Sequence, residues 1–144
     1  NIYAGSDAAW YLLDTGRALK PLIYQERKPT VFTAMIDHAD EAVFMRNEYR
    51  YGVDGRCNVG LGFWQMAAKS QEKLDAAGFE KAYNAMVSQK GDGGRPLGIR
   101  PNVLLVPPAL ENAAKELVEG DRLANGAYNP NKGKAKVIVS PWLL

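Results

Sequence analysis

The stretch Gly98–Gly120, GIRPNVLLVPPALENAAKELVEG, is a strand, a proline corner and a helix in direct succession. Val103, Leu104, Leu105 and Val106 form a short continuous apolar run, the pattern of a strand buried on both faces. Pro107 and Pro108 end it, because proline cannot donate to a ladder. Pro108 suits the first turn of a helix, where its missing N–H costs nothing. Leu110, Ala113, Ala114, Leu117 and Val118 then recur at i, i+3, i+4, i+7 and i+8, one helical stripe, and Gly120 supplies the stop.

The rest of the second half extends this α/β pattern. Phe79, Ala82, Tyr83, Met86 and Val87 make a second helical stripe, with a loop at Gly91–Gly94 beyond it. Residues 121–133 are polar and turn-rich and read as a surface loop. Ala135, Val137 and Val139 alternate with Lys134 and Lys136, giving a last strand. Residues 1–65 read mainly as β. Trp10–Leu13 and Leu22–Gln25 are short apolar runs around a turn-prone Asp14-Thr15-Gly16, which predicts a hairpin. Val31–Ile36 and Ala42–Met45 fit either strand or helix. Tyr49, Tyr51 and Val53 alternate with Arg50, Gly52 and Asp54, a half-exposed strand.

Composition sets limits. With 144 residues the chain is long enough for one domain with a real core. A net charge of +2 argues against non-specific nucleic-acid binding, which needs a more basic surface. The single Cys57 excludes an internal disulfide. No apolar run approaches the roughly 20 residues of a membrane-spanning helix. The chain opens on Asn1 rather than methionine and reads as a piece of a larger protein.

Reactive constellations are scarce. His38 is the only histidine, so a multi-histidine metal site is excluded. It could serve as a base toward Ser70, Ser88 or Ser140, or pair with Cys57, but no GxSxG elbow accompanies the serines. The Gly91–Gly98 loop, GDGGRPLG, lacks the GK[ST] ending of a phosphate-binding loop. Val59–Trp64 is similar to the aromatic strand of RNA-recognition domains, and Tyr49, Tyr51, Phe63 and Trp64, with Arg50 and Arg56, could stack and hold bases. The residues thus predict an α+β domain with no catalytic, cofactor-binding or metal-binding residue assigned. A structural or binding role is expected, with a small nucleic-acid-binding module using 49–64 as the alternative and a hydrolase based on His38 as a third reading.

Four segments carry a resemblance: RPLGIRPNVLLVPPALENAA at 95–114, NPNKGKAKVIVSPWL at 129–143, AWYLLDTGRALKPLIYQERKP at 9–29 and EAVFMRNEYRYGVDGRCNVGLGFWQMAAKS at 41–70. Together they resemble the major head (capsid) subunit of Mu-like bacteriophages and prophages, the gpT family. The resemblance implies a tailed-phage capsid fold of the Hong Kong 97-like type, with axial and peripheral domains and a mixed sheet carrying two packed helices. It implies a structural protein without cofactor or catalysis, assembled in the bacterial cytoplasm into the icosahedral virion capsid. The implied partners are other copies of the subunit, in pentamers and hexamers, with scaffold and portal proteins beside them. DNA is met only indirectly and membranes not at all.

The resemblance also implies that residues 1–144 are a single domain from the carboxy-terminal part of such a subunit, without its arm, extended loop and spine helix. The family order suggested by it is 71–144 followed by 1–70, a circular permutation with a seam at Leu144/Asn1. That order predicts neighbouring termini and adjacent antiparallel strands at 135–143 and 9–13. The loops Gly91–Gly94 and Asp121–Lys132 are the expected contacts around a capsomer axis.

Overall fold

A computed structural model describes residues 2–123 and 125–143. They fall into two compact units. The first unit comprises the chain up to Pro21 and from Leu61 onward; the second is Leu22–Gly60. The division has a physical cause. Nearly every side chain between Leu22 and Gly60 is exposed, so this segment adds nothing to the main core.

The first unit is a five-stranded mixed sheet with two helices. Its strands are β1 (Ile2–Tyr3), β2 (Trp10–Leu13), β5 (Ala67–Ser70), β6 (Val103–Val106) and β7 (Lys136–Val139), in the order β1-β5-β2-β6-β7. β2 lies at the centre, antiparallel to both β5 and β6, with Leu12 opposite Ala68 on one side and Leu104 on the other. The outer pairs, β1 with β5 and β6 with β7, are parallel. Trp10, Leu12, Ala68, Leu104 and Val106 occupy one face by the period-two rule and are all buried. Against them pack α2 (Ala76–Val87) through Phe79, Ala82 and Met86, and α3 (Glu111–Val118) through Ala114, Leu117 and Val118.

Local chemistry explains the helix ends. Asp75 caps α2, its side chain accepting from the Gly78 N–H at 2.8 Å. Pro107 closes β6, and Pro108–Leu110 forms a single 3₁₀ turn before α3 begins at Glu111, three residues after the Pro108 expected in its first turn. Ala113 sits at the flank of that stripe and is exposed.

Two long-range expectations fail. Trp10–Leu13 and Leu22–Gln25 do not form a hairpin: β2 is claimed on both edges by β5 and β6. β7 is not the neighbour of β2, because β6 lies between them and pairs with both. The predicted closeness of Asn1 and Leu144 falls outside the described residues.

Candidate assembly surface

The second unit holds β3 (Leu22–Met35), α1 (Glu41–Arg46) and β4 (Arg50–Leu61), β4 running one residue past the unit's end. β3 and β4 pair into a two-stranded ribbon. All residues of both strands are exposed, although Leu22, Ile23, Tyr24, Val31, Phe32, Met35, Tyr51, Val53, Val59 and Leu61 are large and apolar. A lone two-stranded ribbon is marginal in water. Ten such side chains on one ribbon are far more than the scattered singles an ordinary surface carries.

Internal ties give the ribbon its shape. Phe32 stacks on Tyr51 with ring centroids 5.9 Å apart, and Lys28 pairs with Asp54. Gly55 lies so close to Thr30 that a Cβ there would stand 3.0 Å from the threonine Oγ1. The connection is α1, which buries Ala42 and Val43 and ends at Asn47 in the left-handed conformation, φ 53°. Asn is one of the few residues that tolerates this geometry.

The first unit carries polar anchors that the sequence reading missed. Asp14, buried, accepts from the N–H groups of Gly16 and Arg100, both at 3.0 Å, and so ties the end of β2 to the approach to β6. Asn129 donates from Nδ2 to the Leu117 and Gly120 carbonyls at 2.8 and 3.0 Å, closing the end of α3. Its Oδ1 accepts from the Asn131 N–H at 2.9 Å, and Asn131, fully buried, reaches Glu80 of α2 at 3.1 Å. The 121–133 loop is therefore fastened at its far end. Its outer part carries Tyr128, exposed beneath the Arg122 guanidinium at 5.4 Å. In the sequence these anchors look like ordinary turn residues, and only their long-range partners distinguish them.

The residues considered for chemistry do not converge. His38 lies exposed in the turn before α1, in the second unit, whereas Ser70, Ser88 and Ser140 belong to the first. Cys57 is exposed on β4 and its partner is Tyr24 rather than His38. The hydrogen bond to Cys57, reinforced by the thiolate's charge, raises the Tyr24 phenol above its ordinary value. The Gly91–Gly94 loop closes on itself, Gly91 N–H donating to the Arg95 carbonyl at 2.8 Å. Among the described residues no group of three or more His, Cys, Asp or Glu side chains could hold a metal ion, and no helix is long and apolar enough to cross a membrane.

The proposed base-stacking strand is also broken up. β4 ends at Leu61, and Trp64–Met66 is a 3₁₀ turn. Gly62 separates them: its N–H donates to the Pro21 carbonyl at 2.9 Å, and a Cβ would lie 2.1 Å from the Lys20 carbonyl oxygen. Tyr49 and Tyr51 thus belong to the ribbon unit, and Phe63 and Trp64 to the sheet unit. Arg50 is spent on Glu48 at 3.2 Å.

What this arrangement offers is surface for packing against other protein, and the similarities agree. The chain is 48% identical over 139 residues to the Mu-like prophage FluMu major head subunit of Haemophilus influenzae, covering 94% of this chain and 45% of that protein. It is 40% identical over 141 residues to the major capsid protein of Escherichia phage Mu, covering 96% of this chain and 46% of that protein. Among solved structures it is similar to a chain of the procapsid of bacteriophage JBD30, with a TM-score of 0.84 and 61% identity over 97% of this chain and 47% of that one. The chain spans less than half the length of these relatives. The model of the family described as Mu-like prophage major head subunit gpT matches residues 1–143. The α+β chain, with its mixed sheet and phage-capsid fold, belongs to the Mu-like prophage major head subunit gpT family.

Proposed function

We propose that this chain is a self-packing part of a major head subunit, and that the full-length protein assembles with copies of itself, as pentamers and hexamers, into an icosahedral phage capsid. The observation that carries this reading is the Leu22–Leu61 ribbon. It displays ten large apolar side chains and buries none of them. Such a surface gains about 1.5–3 kcal/mol for each side chain that a neighbour fully covers. The subunit works without cofactor or catalysis, and DNA is enclosed rather than read. Scaffold and portal proteins are its further partners, and its place is the virion capsid, assembled in the bacterial cytoplasm. No observation favours the nucleic-acid alternative, since its aromatics are divided between the two units.

Electron microscopy of the full-length subunit tests the reading. Closed shells or capsomer rings are expected from the unmodified protein. A variant carrying Val31→Ser, Val53→Ser and Val59→Ser, which spares the Phe32–Tyr51 stack, should stay dispersed while keeping the circular dichroism of a folded sheet. Full-length protein that remains monomeric at every concentration, or a triple variant that assembles as well as the parent, contradicts the proposal.

A further inference from the structure

The two ends of the sheet differ in a way that suits a copy-to-copy contact. Leu13 is opposite both Ala67 and Val103, so the close of β2 and the starts of β5 and β6 share one end. At that end lies a groove of about 440 Å³, with Leu19, Phe63, Met66, Leu97 and Ile99 in its walls. Leu19 and Phe63 are exposed. Gln65 also lines the groove, and its Oε1 is buried without a hydrogen-bond donor. An orphaned amide oxygen in an apolar wall is a cost that a donor of matching shape removes.

The opposite end presents such a donor. β7 runs parallel to β6, with Val139 opposite Val106, so the chain leaves the sheet at the end away from the groove. Three residues on, Trp142 stands 91% exposed. It is held by a tight turn in which the Leu143 N–H donates to the Ser140 carbonyl at 3.3 Å. Tryptophan has a large apolar body and a single N–H that finds an acceptor when buried. Strands of this length keep the two ends at least about 10 Å apart. Trp142 and the groove of one molecule therefore lie at opposite ends of the sheet, an arrangement that suits a contact between copies.

We propose that the groove of one copy receives Trp142 of the next, the indole N–H donating to Gln65 Oε1 and Arg17 lying against the ring. The terminal torsion of Gln65 is soft enough to turn its oxygen toward the opening. A contact of this kind uses two different patches, so it is head-to-tail and closes into rings when the rotation permits. The inference rests on the self-packing reading above and names one of its contacts.

The test uses the full-length subunit with Cys57→Ser. Ala18→Cys at the groove rim and Pro141→Cys, exposed beside an intact Trp142, are introduced together and separately, and assembled material is treated with a short thiol-to-thiol cross-linker. A ladder of covalent oligomers is expected from the double variant and from neither single one. Trp142→Ala, at an exposed position that leaves the monomer folded, should raise the concentration needed for assembly about tenfold or more. Trp142→Phe and Gln65→Leu should fall between it and the parent. Shells that form at parental concentrations from Trp142→Ala, or that give no ladder in the double variant, overturn this contact and leave self-packing standing. A parent that never assembles removes the reading beneath it as well.

Discussion

Replacing Asn129 by alanine removes one side chain and strands several backbone groups at once. In the wild-type chain its amide donates to the Leu117 and Gly120 carbonyls at 2.8 and 3.0 Å, with a longer 3.4 Å contact to Glu116, and it accepts from Asn131 at 2.9 Å. The Leu117 carbonyl and the Asn131 N–H are buried, so water does not take over. Each buried orphan costs about 1–2 kcal/mol, and the partly exposed Gly120 carbonyl adds about 0.5 kcal/mol. The sum is about 3 kcal/mol, out of the 5–15 kcal/mol typical of a whole domain. For a chain of this size that lowers Tm by about 12 °C, taking roughly 4 °C per kcal/mol. Urea unfolding followed by circular dichroism measures it, with Asn112→Ala, exposed on α3, as a control expected to stay within about 0.5 kcal/mol. Asn129→Asp keeps the acceptor but sets a negative charge against the carbonyl end of α3, so at neutral pH it should be no better than alanine. A loss below about 1 kcal/mol for Asn129→Ala would refute the claim that this amide fastens the loop to the helix.

Three other outcomes follow from the same geometry. Gly62→Ala places a Cβ against the Lys20 carbonyl oxygen, a backbone group that cannot rotate away, and should destabilise the sheet unit by about 2 kcal/mol, read by urea titration. Phe79→Ala empties the centre of the helix-covered core and should cost about 3–5 kcal/mol, read in the same way. The Lys132 ammonium bonded to Asp121 holds that carboxyl below its ordinary 3.8. A lowered acid contributes stability that is full above about pH 3.8 and is lost as pH falls through the folded value. NMR titration should find the Asp121 midpoint rising toward 3.8 in Lys132→Ala and in high salt, because the pair is exposed and screened. An unchanged midpoint in Lys132→Ala rules out the pairing.

Short-range order was largely legible in the sequence. β6, the α2 stripe and the alternation in β7 stand close to where the periodicity places them, and α3 follows the Pro-Pro corner after one 3₁₀ turn, because each depends on residues a few positions apart. The ribbon was read in fragments. Glu26-Arg27-Lys28-Pro29 interrupts the apolar pattern, yet β3 runs through it, since in a two-stranded sheet each strand has a free edge that accepts charge and proline. The partners of β2 lay beyond local reading, because Leu12 meets Ala68 and Leu104 across more than fifty intervening residues. Family membership came from combinations of uncommon residues rather than from chemistry. The candidate contacts were legible only in part: aromatic richness at 49–64 was visible, but its division between two units follows from the Gly62 approach to Lys20.

That approach has a consequence for how such subunits can vary. β2 and β5 are antiparallel neighbours, and the chain leaves at Pro21 and returns at Gly62 through a 2.9 Å hydrogen bond. The whole Leu22–Gly60 segment is, in topological terms, the loop of an ordinary β-hairpin. The entropy of closing a loop grows only with the logarithm of its length, about 0.6 kcal/mol per doubling. The ribbon can therefore lengthen, shorten or be exchanged at little cost to the sheet that carries it. Evolution can retune how far one head subunit reaches while its framework stays fixed.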